Sequence, residues 1–319
     1  MSSKGGFWKV AKDIGCPYIR GVASPQEKEE GDTVDLSERD GLRRLGVEDL
    51  RHVKRFLRMN APFNAYLLGQ VERGALGLEA IAGPFWGFVE NGQLVGVICS
   101  GSNLVLSYPC SNGAIEAFAQ AARRSVYLVR VAIAEDGILD RFMCHYGRDF
   151  RPIAVEREGQ ILFGVTGDSL VSHERKARLR PAEVAELEPV METDRLMIAE
   201  ELGFDPFRRD PKIYRDGWLR RIRELRVWVV GPELGPYLFK VEQSAISDDV
   251  VQLSGVYTAI DSRRQGIARD ALGQMCRIIL SDARRVSLYV HQANLPAVRL
   301  YRRLGFEELG SIRSVWFDV

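Results

Sequence analysis

Val256-Tyr257-Thr258-Ala259-Ile260-Asp261-Ser262-Arg263-Arg264-Gln265-Gly266-Ile267-Ala268 is the stretch on which the reading of this chain turns. A strand-like run ends at Ala259, a short basic loop follows, and a helix is predicted to start near Ala268. The helix rests on Ala268, Ala271, Leu272, Met275 and Ile279, which form one apolar stripe. Backbone N–H groups in a helix's first turn have no intrahelical acceptor, and with the macrodipole they form an anion site. Gly266 lets a backbone approach a phosphate closely, Ala268 leaves the first turn unobstructed, and Arg263 and Arg264 add charge. Taken alone, the same loop reads equally well as a solvated turn.

Outward from this loop, the C-terminal side is predicted as a strand over 286–291, a helix over 295–304 and a last strand over 312–317. On the N-terminal side, three strand-like runs (226–230, 237–246 and 250–259) are separated by Gly231-Pro232, Gly235-Pro236 and Ser247-Asp248-Asp249. Before them come a strand over 176–180 and helices over 181–201 and 213–224. The first half of the chain has a similar rhythm. A helix is predicted over 42–57, and strands over 86–90 and 93–100 flank Asn91-Gly92, a strong hairpin signal because both turn positions need positive φ. A strand over 104–107, helix over 115–123, strand over 126–131 and helix over 138–145 follow, and the pattern loosens between 151 and 173. The fold class expected is α/β, layered as in α+β proteins: a mixed central sheet flanked by helices, in two halves of similar architecture. The expected divisions are a polar lead-in over 1–40, a first half over 41–165 and a second over 175–319.

Composition excludes several classes. Of 319 residues, 46% are hydrophobic and 27% charged, a soluble globular balance. Lys plus Arg is 44 against 43 for Asp plus Glu, so bulk electrostatics give no reason to expect nucleic acid or a membrane surface as partner. No run approaches the ~18 consecutive apolar residues of a membrane span, and residues 1–18 lack the apolar core of a secretory signal. The five cysteines (Cys16, Cys99, Cys110, Cys144, Cys276) are widely spaced and the four histidines show no metal-ligand spacing. The expectation is a cytoplasmic protein with reduced thiols and no metal.

Arg263-x-x-Gly266-x-Ala268 resembles the R/Q-x-x-G-x-G/A motif of the GNAT superfamily of N-acyltransferases. Downstream, Asn294-x-x-Ala297-x-x-x-Tyr301-x-x-x-Gly305-Phe306 is similar to that family's N-x-x-A-x-x-x-Y-x-x-x-G-F stretch. The two motifs stand in order over roughly the last 145 residues. Met197, the Glu200–Gly203 segment, Asp205-Pro206, Phe239-Lys240, Gly255-Val256, Leu104 and Phe118-Ala119 further resemble a bacterial two-domain family in which a GNAT domain follows an N-terminal domain of unknown function. The resemblance implies acetyl-CoA, or another acyl-CoA, as co-substrate and a primary amine of a small molecule or protein as acceptor. The competing reading is a non-catalytic acyl-CoA-binding sensor or interaction module.

By register with the family, Val256, Tyr257 and Thr258 face the pantetheine arm, and the Val256 N–H faces the thioester oxygen. Arg263, Arg264, Gln265, Gly266, Ile267 and Ala268 cradle the pyrophosphate, and Asn294, Ala297 and Tyr301 complete the donor site. Tyr301 is the expected acid for the leaving thiolate; a core-packing tyrosine is the alternative. Many relatives place a glutamate where this chain has Gln252, and an amide cannot act as a base. Glu200 and Glu201 are therefore the base candidates, with Asp205, Asp249 and His291 open, and Met197 and Phe204 as possible pocket walls or plain core. The first half has Gly101-Ser102-Asn103 and Tyr108-Pro109 where such a loop would stand, and is expected to have lost its donor site. The second half, from about residue 176, is expected to bind CoA by itself.

Overall fold

Asn91 and Gly92 adopt φ of 52° and 72°, and so close the turn between β2 (Phe85–Glu90) and β3 (Gln93–Ser100) as the sequence predicts. The computed structural model that contains this hairpin describes residues 40–77, 82–171, 177–201, 203 and 210–318.

The two halves follow one course. In the first, β1 (Gly41–Arg44) leads to α1 (Leu50–Arg58) and α2 (Ala65–Glu72), then to β2, β3 and β4 (Asn103–Leu106). Helix α3 (Asn112–Arg123) crosses over to β5 (Val131–Glu135), parallel to β4, and α4 (Asp136–Tyr146) leads to β6 (Ile153–Val165). In the second, β7 (Arg180–Pro181) leads to α5 (Leu187–Glu201) and α6 (Pro211–Arg223), then to β8 (Val227–Val230), β9 (Phe239–Ile246) and β10 (Val251–Thr258). Helix α7 (Ile267–Leu280) crosses over to β11 (Val286–His291), parallel to β10, and α8 (Leu295–Arg303) leads to β12 (Glu307–Phe317).

Among the described residues, all twelve strands form one sheet, in the order β1-β2-β3-β4-β5-β12-β6-β11-β10-β9-β8-β7. The last strand of each half lies in the other: β6 pairs with β11, β12 pairs with β5, and β6 and β12 pair with each other in the middle. The expected border between halves, at 165–175, therefore follows a strand that the second half needs. Packing also joins them. Gly69 of α2 lies so close to β9 that a Cβ there would stand 2.9 Å from the Ala245 Cβ, and Arg73 pairs with Glu224 at 2.8 Å.

Strand alternation gives the second half two covered faces. Phe239, Val241, Val251, Leu253, Val286 and Leu288 pack beneath α7 and α8. On the reverse face, Val227, Val229 and Tyr237 pack beneath Val190 and Met191 of α5 and Tyr214, Trp218 and Ile222 of α6. Helix α7 buries the stripe predicted for it, Ala271, Leu272, Met275 and Ile279. Among the described residues no helix is long and apolar enough to cross a membrane.

Several local expectations are corrected. Residues 42–44, predicted as the start of a helix, belong to β1, because pairing with Trp86–Phe88 overrides their helix-compatible spacing. The strand predicted over 126–131 begins only at Val131, and Val126, Tyr127 and Leu128 are exposed. The loosened stretch after 151 holds β6, the longest strand of the sheet. Its polar residues hid it: Glu156 and Glu158 both pair with Arg313 of β12, so charge is accommodated inside the sheet. The strand predicted over 176–180 is reduced to Arg180–Pro181, and a short 3-10 turn, Val184–Glu186, precedes α5.

Leu162, Phe163 and Val165 of β6 are fully buried. At about 1.5–3 kcal/mol each, their burial alone rivals the ~5–15 kcal/mol net stability of a domain. The second half by itself, as a fragment over 176–319, is accordingly expected to show no cooperative thermal unfolding by circular dichroism, whereas a fragment over 151–319, which keeps β6, melts cooperatively. Matching transitions in the two fragments would contradict the role given to β6.

Candidate functional site

Strands β10 and β11 are joined at only two positions, Val251 with Val286 and Gln252 with Ser287. Beyond these, β10 pairs with β9 alone and β11 with β6 alone, so a wedge opens toward Thr258 and His291. The cause is local. Ser254 pairs with Glu242 and Tyr257 with Lys240, so Gly255 and Val256 together oppose the single residue Val241. Such a bulge bends a strand and increases its twist. Gly255 takes φ of +58°, and a Cβ there would meet the Lys240 Nζ at 2.9 Å and the Glu242 Cγ at 3.4 Å. Inside the wedge, the facing edges of β10 and β11 have no strand beside them, which suits an extended ligand that pairs with backbone.

At the open end of β10 the chain makes a 3-10 turn, Ile260–Ser262, and enters α7. Arg264 (φ +63°) and Gly266 (φ +85°) both take left-handed backbone. Gly266 is the N-cap, and no side chain caps the helix. Among the described residues, no acceptor is found for the backbone N–H groups of Arg264, Gln265, Gly266, Ile267 and Ala268. Nothing lies within 4 Å of a Cβ built on Gly266, so its surroundings are open space. Five such amides at the start of a 14-residue helix can accept a phosphate-sized anion.

Arg263 is engaged elsewhere. Its Nη2 donates to both oxygens of Glu200, at 2.7 and 3.1 Å. Its Nε donates to the Thr258 carbonyl at 3.0 Å, and its guanidinium lies 5.7 Å from the Tyr257 ring centroid. Burial raises the Tyr257 pKa first and Glu200 adds to this, while Arg263 opposes. Glu200 is thus committed to an ion pair across the mouth of the wedge. The Gln265 side chain donates to the Asp261 carbonyl at 2.8 Å.

Glu201 is the freer carboxylate. Its side chain is 46% exposed and stands 3.8 Å from Arg157 of β6. Burial is nonetheless the largest cause raising its pKa, with Arg157 and Lys240 opposing and Asp194 and Glu200 adding. Two tyrosines feel its charge. Tyr289 of β11 and Tyr301 of α8 both have pKa values raised first by burial and next by Glu201. Tyr301 is 4% exposed, packs against Phe163 and Phe306, and its hydroxyl makes no hydrogen bond to a described residue. Glu201 of α5 and Tyr301 of α8 thus lie within electrostatic reach of each other.

Other residues singled out from the sequence are placed as follows. Asn294 caps α8, accepting from the Ala297 N–H at 3.3 Å, and both residues lie past the end of β11. Gln252 stands at the base of the wedge, where Ser244 donates to its side-chain oxygen at 3.3 Å. The His291 Nδ1 accepts from the Ala293 N–H at 3.2 Å. Asp249 pairs with Arg58 and Arg284 in the β9–β10 turn, at the opposite end of β10 from the opening, which removes it from the base candidates. Met197 is half-buried on α5. Phe204 and Asp205 lie outside the described residues. Burial pushes the Cys276 thiol up to about 12, with Arg277 opposing, which leaves it inert as a nucleophile at neutral pH.

Sequence reasoning gave no role to Arg157, to Glu242 or to the pair Lys240–Asp194, whose Nζ and Oδ1 are 2.9 Å apart. For Lys240 a signal existed: it alternates with Phe239 and Val241, which placed it on the other face of β9. That α5 and α6 cover this face was not readable from the strand.

The corresponding place in the first half is closed. Ser111 caps α3, accepting from the Ala114 N–H at 3.1 Å, and its Oγ donates to Glu90 at 2.8 Å. A Cβ on Gly113 would lie 2.9 Å from the same Glu90 oxygen. The chain's own carboxylate occupies this helix start.

Residues 214–306, from within α6 to just past α8, match the family model described as the acetyltransferase (GNAT) family. Among curated proteins no match is found. The fold is shared with a Drosophila protein of known X-ray structure, at a TM-score of 0.55 and 10% identity over 88% of this chain and 99% of that one. Similar structures also include an acetyltransferase of the GNAT family from Colwellia psychrerythraea (TM-score 0.48, 16% identity, 87% of this chain and 99% of that one). Another is a tandem GNAT protein from the clavulanic acid biosynthesis pathway (TM-score 0.49, 13% identity, 87% and 97%).

Gly266→Val places a β-branched residue at φ +85°, a backbone region it strongly disfavours, and fills the space before the free amides. The variant full-length chain is expected to lose CoA binding in calorimetry while keeping its fold. Unchanged affinity would remove the anion site from this loop.

Proposed function

We propose that the chain is an N-acetyltransferase that moves an acetyl group from acetyl-CoA to a primary amine of a small molecule or protein. The observation that carries this reading is the parting of β10 from β11 directly beside a helix start with five unpartnered amides. The pyrophosphate sits on the N–H groups of Arg264 to Ala268, and the pantetheine arm lies along Val256 to Thr258. The neutral amine attacks the thioester carbon, whose oxygen is held by the Val256 N–H as charge develops. The amine proton passes to Glu201 through water. Glu200, tied to Arg263, links the acceptor-side helix to the donor loop rather than serving as the base. As the C–S bond breaks, the thiolate takes the Tyr301 proton, and the products are an amide and free CoA. Burial and the Glu201 charge keep Tyr301 protonated at neutral pH, the form that can donate.

The second reading, a non-catalytic acyl-CoA sensor, is favoured by Gln252, a neutral amide where the family has a glutamate. Thiol release from acetyl-CoA in the presence of a panel of amines separates the two, since a sensor releases none. The first half is proposed to bind no CoA, because Glu90 fills its anion position, and to serve acceptor binding, regulation or assembly.

Tyr301→Phe keeps the ring and removes the acid. Its turnover is expected to fall by roughly 10²-fold, with CoA affinity little changed; near-normal turnover would reduce Tyr301 to packing. Calorimetry on the full-length chain is expected to give one CoA per chain, and two would overturn the closed reading of the first half.

A further inference from the structure

Lys240 is fully buried, with no exposed surface, which is rare for an ammonium unless it is paired. Its Nζ donates to Asp194 Oδ1 of α5 at 2.9 Å. The other oxygen, Oδ2, accepts from the Tyr214 hydroxyl of α6 at 2.8 Å. The same Nζ lies 4.6 Å from the Trp218 ring centroid, a cation–π distance. Two helices thus hold one ammonium against the sheet.

What the ammonium touches next is the bulge. A Cβ on Gly255 would meet it at 2.9 Å, and the backbone of Lys240 is the ladder partner of Tyr257, just past the bulge. On the other side of Gly255 stands Glu242, which accepts from the Ser254 hydroxyl at 2.8 Å. Gly255 is therefore flanked by an ammonium and a carboxylate, with Ser254 before the bulge and Tyr257 after it fixed in the ladder. Stability is a poor account of such a pair: replacing a buried ion pair by apolar residues of similar volume is often neutral. Its placement under Gly255, the left-handed residue of this bulge, is the better account.

We propose that Lys240, anchored by Asp194, is a positioning residue that props the Gly255 bulge from beneath and so fixes the Val256 amide toward the wedge. The link to turnover rests on the proposed reading of Val256 as the carbonyl site. Glu201 also feels the Lys240 charge, so the ammonium lies within reach of both the carbonyl side and the base side of the reaction.

The test uses the full-length chain carrying Lys240→Met together with Asp194→Leu, which removes both charges and leaves neither buried alone. Lys240→Met by itself strands Asp194 and is expected to melt at a lower temperature. The double variant is expected to melt cooperatively and to bind CoA within about threefold of the parent, because the phosphate loop is untouched. Its kcat is expected to fall about 10²-fold, the cost of roughly 1 Å of misplacement, with the KM for acetyl-CoA little changed. Amide hydrogen exchange is expected to rise roughly tenfold at Ser254 and Tyr257 but not at Val251 or Leu253. Unchanged exchange at Ser254 and Tyr257, or kcat and CoA affinity falling together, would overturn the proposal. If the parent chain releases no thiol with any amine, the exchange comparison still decides: local loosening upholds the prop, and only the carbonyl-site reading of Val256 is lost.

Discussion

Two ladder positions hold β10 to β11, and the arrangement of the second half depends on there being no more. A parallel pair that continued to Thr258 and His291 would satisfy every facing backbone group and leave no place for an extended ligand. The pairing ends at Gln252, where β10 and β9 shift register, and Gly255 adds a second shift by inserting an extra residue between Ser254 and Tyr257. The wedge has a helix start at its mouth because α7 is the crossover between these same two strands, so the chain must enter α7 where β10 ends. Anion site and open edge are thus consequences of one parting of strands, and α8, which follows β11, carries Tyr301 onto the opposite wall.

The two halves show how little distinguishes a usable helix start from a closed one. Both α3 and α7 are crossover helices after the fourth strand of their half. In α7 the N-cap is Gly266, with no side chain to satisfy the first turn. In α3 the N-cap is Ser111, backed by Glu90 from β2. The Ser111 hydroxyl meets one of the donors and the Glu90 carboxylate stands beside them, so an incoming phosphate meets like charge.

What could be read from the sequence was local. The phosphate loop, the Asn91-Gly92 turn, β11 and α8 depend on residues close together in the chain, where glycine, turn and periodicity signals operate. What could not be read depends on partners far away. Strand β6 looked like a loop because Glu156 and Glu158 break its apolar pattern; Glu156 is held by Arg148 and by Arg313, and Arg313, more than 150 residues on, also pairs with the exposed Glu158. Leu42 to Arg44 kept a helix-like spacing but found a strand to pair with. Glu200 and Glu201 are neighbours with the same side chain, and nothing local separates them. The difference is that Arg263 reaches one while the other lies beside Arg157, Tyr289 and Tyr301. Lys240 was legible as a face but not as a depth.

The sharing of β6 and β12 has a consequence for the order of events during synthesis. Strand β5 pairs with β4 on one side and finds its other neighbour only in β12; Arg313 and Asp140, which meet across this region, are 173 residues apart in sequence. While the second half is still being made, the first half presents β5 as an open edge and β6 as a long strand without either of its partners. Unpaired edges of this kind invite pairing with another chain, and contacts so distant in sequence are slow to close. The first half therefore cannot reach its final sheet as it emerges. For that interval, the protein depends on being kept from other nascent copies of itself, a burden that two independently closing halves would not carry.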